Sequence, residues 1–170
     1  MSFLKKVIYF LIIFLIGCSH LSVRHLEKSP LLTQQKTTLE MRYLKFSYTP
    51  LCTIQGYRVK GTAFFKQESI PGWAKYIQEL WLAIYLSDAK GKVLAKQLKV
   101  YLPQKLEDSG VPFEFSLTPE EIPSKRPLFI TFGYSFKLTP AANYKPGFKS
   151  SPLTEDKDLI FYASQGALNY

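Results

Sequence analysis

From Arg42 onward, apolar and polar side chains alternate with a period of two, the pattern of strands that pack one face and wet the other. MRYLKFSY (41–48) sets Leu44, Phe46 and Tyr48 against Tyr43, Lys45 and Ser47. GYRVKGTAFF (56–65) sets Tyr57, Val59, Gly61, Ala63 and Phe65 against Arg58, Lys60 and Thr62. In SIPGWAKYIQELWLAIYLSD (69–88), Trp73, Ile77, Leu80 and Ile84 also recur at helical spacing. Strict alternation of Leu80, Leu82, Ile84 and Leu86 into Asp88-Ala89-Lys90-Gly91 favours a strand entering a hairpin, with Gly91 in left-handed backbone. The return strand KVLAKQLKVYL (92–102) stops at Pro103, and PFEFSL (112–117) points Phe113, Phe115 and Leu117 inward. Thr118-Pro119-Glu120-Glu121 reads as a capping box with proline at the first helical position, which predicts a short helical turn. PLFITFGYSFKL (127–138) then lines Leu128, Ile130, Phe132, Tyr134, Phe136 and Leu138 along one face of a core strand.

These elements make six strands, with a seventh expected at DLIFYA (158–163), and no βαβ alternation. The fold class that follows is all-β, an antiparallel β-sandwich of immunoglobulin or fibronectin-III layout. The buried tryptophan and paired cysteines of antibody domains have no counterpart. The sandwich is assigned to 42–138 and a C-terminal extension with the final strand to 139–170. Ahead of the sandwich, 18–41 is polar and reads as a flexible tether, whose 22-residue stretch from Ser19 to Glu40 reaches roughly 25–30 Å. A weak amphipathic helix over Leu31–Leu39 is the alternative for part of it. His20 and His25 both fall in this tether.

The first seventeen residues carry a different signal. Lys5-Lys6 precede an uncharged apolar run from Val7 to Gly17, shorter than the roughly 20 residues that span a bilayer. The run closes on Leu15-Ile16-Gly17-Cys18, which resembles the bacterial lipobox. That resemblance implies cleavage before Cys18, a thioether-linked diacylglyceryl group on its sulfur and a third, N-linked acyl chain. Two acyl chains suffice for stable anchoring. Ser19 stands where the enterobacterial inner-membrane retention signal places Asp, so the implied location is the outer membrane, facing the periplasm. An ordinary signal peptide with a chance cysteine is the alternative.

Composition adds little that is specific. Without the leader the chain keeps 20 basic side chains against 13 acidic ones, a balance suited to anionic headgroups, anionic glycan or an acidic protein. No run of like charge or RNA-binding signature points to nucleic acid. With Cys18 acylated, Cys52 is the remaining thiol and is expected to be a small buried residue near a strand end. Hydrolytic and zinc chemistry find no histidine in the sandwich, so neither cofactor nor metal is expected. Ser87-Asp88-Ala89-Lys90 fits an S-x-x-K string but lies in a hairpin turn, and Glu155, Asp156 and Asp158 lack the glycine turn of a calcium loop. The candidate ligand loop is ANYKPGFKS (142–150), where Tyr144 and Phe148 interleave with Lys145 and Lys149 around a type II turn at Pro146-Gly147.

Val59-Lys60-Gly61-Thr62-Ala63, then Ile84-Tyr85-Leu86-Ser87-Asp88 with Ala89-Lys90-Gly91-Lys92-Val93, resemble the FxLyD-type sandwich domains of bacterial envelope proteins. The chain departs from that pattern with Ile84 for the usual Phe and Phe64-Phe65 for an Asn-containing loop. The resemblance implies the sandwich fold and says little of function, since such domains are mostly accessory modules. The expected function is a membrane-anchored, non-catalytic binding or assembly accessory of the envelope with a protein partner. The alternative is a module binding anionic glycan or lipid headgroups.

Overall fold

The computed structural model describes residues 21–120, 127–144 and 159–169, and among them strands alone form the layers. Along the chain these are β1 (Leu21–Ser22), β2 (Ser29–Pro30), β3 (Thr37–Glu40), β4 (Leu44–Thr53), β5 (Gly56–Phe65) and β6 (Tyr76–Ser87). Then follow β7 (Val93–Tyr101), β8 (Gln104–Lys105), β9 (Val111–Leu117), β10 (Phe129–Thr139), β11 (Phe161–Gln165) and β12 (Leu168–Asn169). One sheet runs β3-β4-β5-β9 and the other β11-β10-β6-β7, with β2 added to β10 and β8 to β6. All pairings are antiparallel. The two sheets pack face to face as the expected sandwich.

Alternation places the core. Leu44, Phe46 and Tyr48 of β4 and Val59, Ala63 and Phe65 of β5 are buried, opposite Leu80, Leu82, Ile84 and Leu86 of β6 and Ile130 to Leu138 at even positions of β10. The high aromatic content is spent between the sheets. Phe46 of β4 stacks on Phe132 of β10 at 4.1 Å and 4°, and Phe113 of β9 joins them at 5.4 Å from Phe132. Phe65 meets Phe136 edge-on at 5.1 Å, so successive rings tie β4, β5 and β9 to β10.

The hairpin between β6 and β7 forms as its sequence predicts. Asp88 Oδ1 accepts the backbone N–H groups of Lys90 and Lys92 at 2.8 and 2.9 Å, and Gly91 adopts φ +84°. A Cβ at Gly91 would also lie 2.7 Å from the backbone nitrogen of Arg24, so this turn requires glycine twice over.

The tether is corrected. Residues 21–40 are part of the folded body: β1 pairs with β12, β2 with β10 and β3 with β4. Val23 is fully buried and Leu26 nearly so. The Val23 N–H donates to the Gly91 carbonyl at 2.9 Å, and the Thr131 hydroxyl donates to the Glu27 carbonyl. The reason is that β11 leaves the start of β10 unpaired on the side away from β6, and β2 of this segment pairs there at Phe129 and Ile130. The alternative helix over Leu31–Leu39 is likewise replaced by a loop and β3. The strand expected at 158–163 appears as β11, Phe161–Gln165. The helical turn expected after Pro119 falls largely on 121–126, outside the described residues.

Candidate functional site

The two outer faces of the sandwich differ in chemistry. On the β3-β4-β5-β9 sheet the outward positions carry Glu40, Lys45, Arg58, Lys60 and Glu114. They pair with one another: Lys45 with Glu40 at 3.6 Å, and Arg58 and Lys60 with Glu114 at 3.4 Å each. Exposed pairs of this kind contribute about 0–1 kcal/mol and describe a solvated face.

On the opposite sheet the outward register is apolar. Trp81, Ala83 and Tyr85 of β6 lie beside Val100, Leu98 and Lys96 of β7 on one flank and Ser135, Gly133 and Thr131 of β10 on the other. Leu98 is 52% exposed and Val100 62% exposed, with Trp81 at 40%. Tyr162 of β11 stands exposed across from them, its hydroxyl accepting a hydrogen bond from Ser135 Oγ at 3.2 Å. Trp81, Leu98 and Ser135 border a shallow groove of about 160 Å³ whose floor includes Ala83, Tyr85 and Gly133 and whose far wall is Ser164, Gln165 and Gly166.

Glycine at 133 makes the groove. A Cβ there would meet Tyr85 Cε2 at 3.0 Å, because the Tyr85 ring lies across the glycine to accept the Ala167 N–H on its hydroxyl at 3.4 Å. An aromatic ring laid over a strand glycine restores cover to the backbone while leaving a hollow beside it. Burial pushes the Tyr134 phenol above its ordinary value of 10, opposed by a backbone hydrogen bond at Tyr43 and by Arg42, and the hydroxyl donates to Gln165 Oε1 at 3.0 Å. A larger depression of about 460 Å³ lies at the β4–β5 hairpin, lined by Thr53, Ile54, Gln55, Tyr57, Arg58 and the end of β9. It gathers no acid–base pair beside a nucleophile.

No known protein family, curated protein or solved structure matches this chain. Its site must therefore be read from its own residues.

Cys18 and the box Leu15, Ile16 and Gly17 lie outside the described residues, as do Lys145, Phe148 and Lys149 of the candidate loop and the acids at 155, 156 and 158. Tyr144 is described and half-buried, and its hydroxyl accepts the Leu159 N–H at 3.0 Å, which holds the ring against the returning chain. Cys52 is corrected: its thiol is exposed, because β4 has by then run past the opposing sheet. His25 belongs to the folded body and uses Nε2 on the Gly166 carbonyl at 2.8 Å. Ser87 is wholly buried, and its hydroxyl has no hydrogen-bond partner among the described residues. Lys99 sits over the Phe115 ring at 5.6 Å. Among the described residues no three His, Cys, Asp or Glu side chains gather as metal ligands, and no helix is long and apolar enough to cross a membrane. The groove itself escaped the sequence reading. Its signal was present in LWLAIYL, where Trp81, Ala83 and Tyr85 make the second face of β6 apolar as well.

Proposed function

We propose that this chain is a lipid-anchored, non-catalytic module of the bacterial cell envelope, held through Cys18 at the outer membrane facing the periplasm, that binds another envelope protein as a structural or assembly accessory. The observation that carries the binding reading is the apolar groove bordered by Trp81 and Leu98, with Val100 and Tyr162 exposed on the same face, on a molecule whose opposite face is charged and internally paired. Exposed apolar surface rimmed by polar side chains is the usual dress of a protein contact. The lipobox resemblance at 15–18 supports the anchor. The FxLyD resemblance supports an accessory role, and its three segments fall on β5, the end of β6 and the turn into β7.

The test is photo-crosslinking in cells with the full-length chain, the reactive residue placed at Leu98 or Val100 and, as control, at Thr49 or Lys60 of the charged face. A defined protein adduct from the first pair alone is expected. Equal labelling from both faces, or no adduct from either, overturns the reading.

A second reading, binding of anionic headgroups or glycan, is favoured by one feature. Arg24, Lys90 and Lys92 are exposed together beside the β6–β7 turn, and none of the five ion pairs among the described residues involves them.

A further inference from the structure

We infer that the end of the sandwich carrying the β4–β5 and β6–β7 hairpin tips is its membrane-facing end, docking on the anionic headgroups of the bilayer that holds the anchor; the inference rests on the lipid-anchor reading at Cys18.

Chain geometry gives the first reason. Ser19 and His20 alone separate Cys18 from Leu21, so the sulfur-bearing residue lies within about 10 Å of β1 even at full extension. With residues 21–40 packed on the body, no long tether remains. The place where β1 sits is therefore close to where the membrane must be. β1 sits at the β6–β7 turn: Ser22 bridges Lys92, and the Val23 N–H binds the Gly91 carbonyl.

Charge gives the second reason. Arg24, Lys90 and Lys92 are exposed around this turn. Lys28 fixes the arrangement, donating from Nζ to the Ala89 carbonyl at 2.6 Å while lying over the Phe129 ring at 4.9 Å. Two acids are close in sequence. Asp88 spends one oxygen on the N–H groups of Lys90 and Lys92, and Glu27 is exposed. The set keeps a net positive charge, complementary to phosphate.

The third reason is the second hairpin. Phe129 pairs with both Ser87 and Pro30, the Leu31 N–H binds the Leu128 carbonyl, and the Gln34 N–H binds the Pro50 carbonyl at 2.7 Å. This short stretch of chain links the base of the β6–β7 turn to the base of the β4–β5 turn, so both tips project from one end. At the second tip Ile54 is fully exposed. An isolated apolar tip beside cationic side chains is the composition of an interfacial contact, in which the apolar side chain enters the headgroup layer and the cations meet phosphate. The groove on the flank stays free for a partner.

The experiment uses the processed protein purified from cells with its acyl chains. It is reconstituted into vesicles of phosphatidylcholine alone or mixed with phosphatidylglycerol, both containing a headgroup-quencher lipid. A fluorophore on Cys52, exposed next to the Ile54 tip, reports proximity to the headgroups. Intact mass measured on the same sample reports whether Cys18 is acylated. Strong quenching on the anionic vesicles is expected, reduced at high salt, with the docked-to-undocked ratio derived from it falling about fivefold for each charge removed at Arg24, Lys90 and Lys92. Ile54→Ser is a second variant with no charge change and should also lower it. Circular dichroism of each variant checks that the fold is kept. Acylated protein with equal quenching on both vesicles, insensitive to salt, overturns the docking while leaving the anchor intact. A mass without acyl chains overturns the anchor, and the inference falls with it.

Discussion

Tyr101 shows what a single buried hydroxyl does to this fold. Its ring packs inward beside Leu80, its hydroxyl has no protein partner among the described residues, and burial pushes its pKa up to about 12. A phenol with a folded pKa above the unfolded value of about 10 leaves stability unchanged below pH 10 and lowers it as pH rises toward 12, because the unfolded chain releases the proton first. Tyr48, Tyr57 and Tyr134 are shifted the same way by burial. Urea unfolding is therefore expected to weaken steadily above pH 10, with Tyr101→Phe flattening part of that slope and matching or exceeding the parent near pH 7 by up to about 1 kcal/mol. Phe132 behaves oppositely. It is fully buried and touches three other core rings, so Phe132→Ala should cost about 3–5 kcal/mol in the same assay. Phe132 was placed on the core face by alternation. Cys52 was not, since it keeps the inward parity of Phe46 and Tyr48 but lies beyond the end of the facing sheet, a length mismatch no local pattern records.

Among the elements, β7 and β9 are the informative pair, each an edge of its own sheet. Gln97 of β7 closes the gap between them, its side-chain oxygen accepting the Ser116 N–H of β9 at 2.6 Å. An edge N–H satisfied by a side chain is withdrawn from pairing with another chain. Gln97→Ala should cost about 1 kcal/mol and speed amide exchange at Ser116, read by hydrogen–deuterium exchange. The segment from β1 to β3 offers a sharper contrast, because a flexible tether would be cut by trypsin at Arg24 and Lys28 at once. Packed as it is, both sites should resist until the whole domain unfolds. The strands β4, β5, β6, β9 and β10 were legible because each carries three or more core positions in alternation. The two-residue strands β1, β2 and β12 were not, because Val23 and Leu26 are buried by residues distant in sequence, in a stretch whose own composition is polar. The same blindness hid the groove: alternation identifies the core face of β6 and is silent about why its other face is apolar too.

On the scale of the molecule, a polar, internally paired face, a grooved apolar face and a cationic end are three chemically different surfaces. Replacing Trp81 with Ser and Leu98 with Lys should leave the unfolding free energy measured in urea within about 0.5 kcal/mol, since both side chains are substantially exposed, while abolishing the adduct crosslinked from Val100. The pairing of β1 with β12 has a consequence of another kind. Leu21 and Ser22 find their partners in Asn169 and Leu168, so the strand nearest the start of the folded body is completed by nearly the last residues described. A contact of such sequence separation closes late. While the chain is being made, β4, β5 and β6 can assemble long before residues 168–169 exist, yet Ser22 and the Tyr85 hydroxyl still await the strand and the Ala167 N–H that engage them. Closure of that seam thus waits for the synthesis of residues 168–169, and a ribosome stalled before residue 168 would leave a sandwich that is formed but unfastened.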